Sequence, residues 1–272
     1  MEGIAEYLTQ LQQVLGRLPL DDVQRVVETL LEGHKAGAKV FIMGNGGSAA
    51  TASHFACDLT KGTITSGMPR FRVIALTDNV PLLTAWANDM SYGDVFVEQL
   101  HGLLEAGDVV IAISGSGNSE SVVRAVRMAK WRGARTISLT GCGGGKLAPL
   151  TDVSVVVPSS CMEQIEDAHL VLEHSICTAL RQELRKQSRL GGRRWQGIKA
   201  EYRMQGEGRL PFDQAQDKPF DKAQDKPLLV RDDLAEVPTP GNSMGLARVW
   251  DALSESPAPR WKIKLEKGVA GE

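Results

Sequence analysis

The sequence predicts an α/β protein built on a doubly wound, five-stranded parallel sheet. Three observations predict it: short runs of β-branched residues recur without polar alternation, a helical stretch follows each run, and glycines and serines cluster where run meets helix. Unbroken apolar runs mark strands covered on both faces, and their alternation with helices marks a parallel sheet.

The elements follow in chain order. Ile4, Leu8, Leu11 and Leu15, then Val23, Val26, Val27, Leu30 and Leu31, repeat at helical spacing on either side of Pro19, so two helices precede the sheet. KVFIMGNGGS from Lys39 reads as a buried strand ending in a glycine turn that opens a helix to about Lys61. FRVIALTDN (71–79), DVVIAISGSGNS (108–119) and RTISLTGCGGG (135–145) repeat the strand, VSVVVP (153–158) supplies the fifth, and a long helix is expected from about Met162 to Lys186. The pattern is that of a flavodoxin-like sheet, whose ligands bind beyond the carboxyl ends of the strands.

Composition narrows the partners. A chain of 272 residues, 42% hydrophobic and 24% charged, can bury a full core. Its net charge of -2 gives no electrostatic reason to expect nucleic acid or an anionic membrane as the main partner. No run of about 18 apolar residues is present to span a bilayer, and the opening MEGIAEYLTQ lacks the apolar stretch of a secretory leader. Cys57, Cys142, Cys161 and Cys177 form no CxxC pair, so reduced thiols and a cytoplasmic location are expected.

The chain also divides. Seven of its 12 prolines lie in the last 85 residues, where PFDQAQDK (211–218) returns as PFDKAQDK (219–226). The expectation is a folded domain over 1–187 and, over 188–272, a low-complexity extension whose composition predicts disorder.

Two strand ends carry the chemistry. GNGGS (44–48) follows a strand and opens a helix, where free backbone N–H groups and the helix dipole attract an anion, with Asn45 and Ser48 as added donors. SGSGNS (114–119) places Ser114, Ser116 and Ser119 around a second such turn. Two turns on neighbouring strands make one phosphate pocket. A dinucleotide site is the competing reading, with Asp78 as its ribose acid. That acid lies more than 30 residues after Gly44, where about 20 is usual, and a dinucleotide has no need of the serine-rich turn. A sugar phosphate fits better.

GNGGS with His54 behind it, WAND (86–89), SGSGNS, LTG (139–141) and a histidine-bearing last helix together resemble the SIS-domain phosphosugar isomerases, most closely the phosphoheptose isomerase family. The resemblance covers about residues 1–187. It implies an aldose-ketose isomerase that converts sedoheptulose 7-phosphate to D-glycero-D-manno-heptose 7-phosphate, for heptose and cell-surface glycan synthesis. It also implies a homotetramer with a divalent metal, often zinc, at its sites. Asn45, Gly46, Gly47, Asn88, Asp89, Ser114, Ser116 and Ser119 fall on its substrate-binding positions, and Gly115 stands where the family usually carries a hydroxyl.

The same resemblance assigns metal and catalytic ligands to His54, Asp58, Glu166 and His174, with Asp58 in place of the family's usual glutamate and Glu166 in place of its glutamine. His54 and Asp58 are four apart on one helix face. Glu166 and His174 are eight apart, about 12 Å of rise and roughly 80° of rotation. They meet one ion only if the helix begins irregularly; otherwise they serve different parts of the site or different protomers. In the expected reaction Asp58 is the base, because burial raises a carboxylate toward the working pH, and His174 handles protons at the oxygens. His34, His101 and His169 are read as structural or solvent-facing, and Cys57 and Cys177 as buried packing thiols. The alternatives are a non-catalytic SIS adaptor that binds the replication initiator, and an isomerase of another ketose phosphate.

Overall fold

The computed structural model describes residues 2–204, with side chains over 3–189. Helices α1 (Glu2–Leu15) and α2 (Leu20–Ala36) come first. The sheet strands are β1 (Lys39–Met43), β2 (Arg72–Ala75), β3 (Val109–Ser114), β4 (Arg135–Thr140) and β5 (Val153–Val156). Between them run α3 (Gly47–Cys57), α4 (Val80–Asp89), α5 (Val97–Leu103) and α6 (Glu120–Trp131), and α7 (Met162–Met204) closes the described chain. All pairings are parallel, in the order β2-β1-β3-β4-β5.

The pleat sorts the core. Val40, Ile42, Ile111 and Ile113 enter one apolar cluster with α1, α2, α3 and α7, while Phe41, Met43, Val110 and Ala112 enter a second with α5 and α6. Successive side chains of a strand point to opposite faces, so unbroken apolar runs are what a sheet covered on both sides requires. The order reverses direction between β1 and β3, which pair as Val40↔Val109 through Met43↔Ala112. That is the switch point where such folds bind ligands. Asp108, buried at the foot of β3, accepts from the Lys39 backbone N–H at 2.8 Å and the Glu105 N–H at 2.9 Å, and pairs with the Lys39 ammonium at 3.3 Å. It ties the starts of the two strands together.

Four expectations change. The helix after β1 ends at Cys57 and passes into a π-helical turn, Asp58–Gly62. Cys57 is exposed rather than packed, because it lies off the buried face of α3 formed by Thr51, Ala52, Phe55 and Ala56, whereas Cys177 is buried as expected. His34 is buried rather than solvent-facing, because it continues the inward stripe of Leu30 one turn on. Its Nε2 lies 2.8 Å from the Pro69 carbonyl, and its ring centroid lies 4.6 Å from that of Phe71. The last helix continues past Lys186 to Met204, since no proline interrupts the chain before Pro211. The expectation for the octad repeat and the rest of 205–272 lies outside the described residues.

Gly117 has φ +65°, and a Cβ there would stand 2.2 Å from the Gly144 carbonyl oxygen, whereas Gly143, at φ +76°, faces open space. Left-handed backbone costs a side chain about 1–2 kcal/mol, and forced contact adds about 1–3 kcal/mol. Gly117→Ala is therefore expected to lower stability by about 3 kcal/mol and Gly143→Ala by about 1 kcal/mol, measured by urea denaturation.

Candidate active site

The two turns converge as their strands dictate. Asn45, Ser48, Ser114, Gly115, Ser116, Ser119, Met162 and Glu166 line a cavity of about 140 Å³ beyond β1 and β3. Gly46 caps α3 at φ 56° without a side-chain cap, leaving the N-terminal amides to an anion. Ser119 begins α6 without a side-chain cap hydrogen bond, and its hydroxyl turns to Ser114 Oγ at 3.2 Å. Ser116 Oγ accepts from the Asn118 N–H at 3.2 Å, and the Asn118 side chain accepts from the Lys146 N–H at 3.2 Å, which braces the turn against the loop after β4.

Asn45 is already held. Its amide donates to Ser121 Oγ at 3.0 Å and accepts from the Tyr92 hydroxyl at 2.9 Å, two partners that no motif announced. Asp78 is engaged with Ser53 and Thr77. Gly115 leaves room that Met162 fills, since a Cβ there would meet the Met162 sulfur at 2.4 Å. Asn88 and Asp89 lie exposed at the end of α4, bonded to each other at 2.8 Å, and are not among the residues lining the cavity.

A second constellation lies at the other end of α3. His54, Asp58, Glu173 and His174 each offer one donor atom within 4.8 Å of the others. His54 Nε2 is 4.0 Å from Asp58 Oδ1, His174 Nε2 is 3.9 Å from Asp58 Oδ2, and Glu173 Oε2 is 3.8 Å from His174 Nε2 and 4.0 Å from His54 Nδ1. The imidazole rings meet edge to face at 5.0 Å. The separations are too long for hydrogen bonds and leave a gap among four donors. Two imidazoles and two carboxylates form a donor set that suits zinc or a similar divalent ion.

Glu173 was not read from the sequence. Its side chain is 0% exposed, and neither carboxylate oxygen has a hydrogen-bond partner. Burial first, and then the neighbouring Asp58 carboxylate, push its pKa from 4.5 up to about 8. Its signal lay in the helical pattern: Ile165, Ala168, Leu172, Ile176 and Leu180 form the buried stripe of α7, and Glu173 is an acid placed on it.

Glu166 lies elsewhere. Its carboxylate stands over Gly47, where a Cβ would come within 2.4 Å of Oε1. The helix is regular from Met162, and Glu166 and His174 lie against opposite ends of α3. The structure thus gathers His54, Asp58 and His174, and joins Glu173 rather than Glu166 to them.

These features define a class of sugar-phosphate protein, and residues 5–141 match the SIS domain family. The phosphoheptose isomerase of Aliarcobacter butzleri (strain RM4018) is 42% identical over 186 residues, 67% of this chain and 92% of that protein. That of Akkermansia muciniphila is 35% identical over 182 residues, 67% and 93% of the two chains. Solved phosphoheptose isomerases from Neisseria gonorrhoeae and Francisella tularensis match with TM-scores of 0.62 and 0.63, at 33% and 28% identity, over 66% of this chain and 97% of each of theirs. The chain belongs to the phosphoheptose isomerase family of SIS-domain proteins.

His169, read as structural, is buried on α7, and neither of its ring nitrogens has a hydrogen-bond partner. Burial lowers its pKa from 6.5 to about 4, against a small opposing pull from the Thr140 backbone. Below pH 6.5 the unfolded chain binds a proton that native His169 refuses until about pH 4, so this residue's share of stability is lost as pH falls through that window. Glu173 pulls the other way over the same range, so the comparison is between the metal-free chain and its His169→Leu variant. Relative to wild type, the variant is expected to gain up to about 3 kcal/mol between pH 7 and pH 4, measured by urea denaturation.

Proposed function

We propose that this protein is an aldose-ketose isomerase that converts sedoheptulose 7-phosphate to D-glycero-D-manno-heptose 7-phosphate. The observation that carries the reading is the placement of an anion-binding turn and an acid-base cluster at opposite ends of α3. Gly47 opens the helix and His54 lies seven residues on, about 10 Å of rise. An extended seven-carbon chain anchored by its terminal phosphate spans that interval and brings its carbonyl end to Asp58 and His174. The adaptor alternative gives no use to such a cluster.

The residues divide the work. Backbone amides of 46–48 with Ser48, Ser114, Ser116 and Ser119 bind the phosphate, and charge-assisted hydrogen bonds make that anchor strong. Asp58, about a quarter exposed at the head of the π-helical turn, takes the proton from the carbon beside the carbonyl and returns it to the neighbouring carbon through an enediol. Holding that proton on one carboxylate between the two carbons makes the transfer intramolecular and fast. His174 Nε2 faces Asp58 and moves the proton between the carbonyl and hydroxyl oxygens. A divalent ion, zinc by family likeness, would be held by His54, Asp58 and His174; when bound it supplies positive charge to stabilise the enediolate oxygen.

The reading extends to assembly and boundaries. No residue of α4 is fully buried although its sequence is VPLLTAWAND; Leu83, Trp86 and Ala87 pack partly against the second cluster, while Val80 at its start and Met90 and Tyr92 just after it are exposed. An apolar helix covered on one side only supports a homo-oligomer, a tetramer by family likeness, in which Asn88 and Asp89 reach a site they do not reach within one chain. The catalytic domain occupies 1–187, with 188–204 prolonging its last helix.

Three outcomes test this. Asp58→Asn is expected to lower kcat at least about a thousandfold while sugar phosphate binding by calorimetry stays nearly intact; retained turnover removes Asp58 from the base role. The zinc-loaded protein should convert sedoheptulose 7-phosphate in preference to fructose 6-phosphate and ribulose 5-phosphate. A chain ending at Met204 should keep its kcat and its oligomeric state by light scattering.

A further inference from the structure

We infer that Glu173 replaces Glu166 as the fourth ligand of the metal centre, and that Glu166 serves the sugar instead. The inference rests on the proposed isomerase site and assigns the two carboxylates of α7 within it.

The geometry is that of two helices side by side. Glu166 meets α3 at Gly47 and Glu173 meets it at His54, seven residues further along each chain. The two helices therefore run in the same direction, and two turns of helix return nearly to the same angular position. Glu166 and Glu173 lie on one stripe, and the translation between them separates their roles. Glu166 reaches the serine-lined cavity at the start of α3. Glu173 reaches the two histidines and Asp58 at its end.

The environment of Glu173 calls for a cation. A buried carboxylate with two unpartnered oxygens is costly. The two imidazoles that Glu173 faces lie 3.8 Å and 4.0 Å away, beyond hydrogen-bond reach. An ion among the four donors satisfies the carboxylate directly, and a water-excluded ligand holds the ion firmly. Asp58 is thereby relieved of being the sole anionic ligand and remains free to take protons. Glu166 borders the polar cavity that Ser114, Ser116 and Ser119 share, where a carboxylate accepts hydrogen bonds from sugar hydroxyls.

The test compares Glu173→Gln and Glu166→Gln in the full chain. Zn(II) affinity is read by chelator competition, and the ligand field by the visible absorption of the Co(II)-substituted protein. Glu173→Gln is expected to weaken Zn(II) binding at least about tenfold and to shift the Co(II) bands. Glu166→Gln should leave both unchanged and raise KM for the sugar phosphate about tenfold. Glu173→Leu fills the same buried slot with an apolar side chain and should show the same metal loss at a thermal midpoint no lower than wild type. Metal loss in Glu166→Gln, equal losses in both glutamine variants, or no loss in either would overturn the assignment. Failure of the zinc-loaded wild type to convert sedoheptulose 7-phosphate would instead sink the isomerase reading and leave the metal contrast standing.

Discussion

The contact between α3 and α7 sets where everything else lies. The two helices pack on one face of the sheet, and the side of α3 near its start is built from small residues, GSAATAS. That composition lets α7 approach closely enough for the Glu166 carboxylate to stand over a bare glycine. A side chain at 47 would displace the Glu166 carboxylate from that place, and the four donors gather seven residues further on along the same pair of helices. Packing that is close at one end of α3 is what brings charges together at the other.

The same contact explains why the two chemistries stay apart. A helix start is electropositive and a helix end electronegative, so the first turn of α3 suits an anion while the imidazoles lie near its last turn. The π-helical turn at Asp58–Gly62 widens the chain only beyond Asp58, whose backbone N–H still bonds the His54 carbonyl, so His54 and Asp58 keep the spacing of one regular turn. Turns of this kind occur often at functional sites. The serine turn after β3 needs no such device, because the Asn118 bracing bonds hold it from outside the helix.

Stability and function conflict at Glu173. On the stripe of α7 that Leu172 and Ile176 share, an apolar side chain would pack without penalty. The acid there is a local fault in the core, the kind of inconsistency expected at functional positions. His169 on the same helix is a milder case, since a neutral imidazole can be buried without leaving a charge.

Much of the architecture was legible before any coordinates. Unbroken β-branched runs and the glycines that end them determined five parallel strands and the two glycine- and serine-rich turns that line one cavity, because strand burial and turn backbone are local demands on local residues. The pairing of His54 with Asp58 was legible for the same reason, as one helical turn is a fixed distance. What the tertiary structure alone decided is which part of α7 faces which part of α3. That alignment depends on how two helices slide along each other over the sheet, and no residue carries it by itself. It placed Glu166 at the serine-lined cavity rather than beside His54, Asp58 and His174, and brought Glu173 to them instead. It also showed Asn45 held by Tyr92 and Ser121, and the exposed apolar side of α4. Sequence periodicity says which residues share a face; only packing says what that face meets.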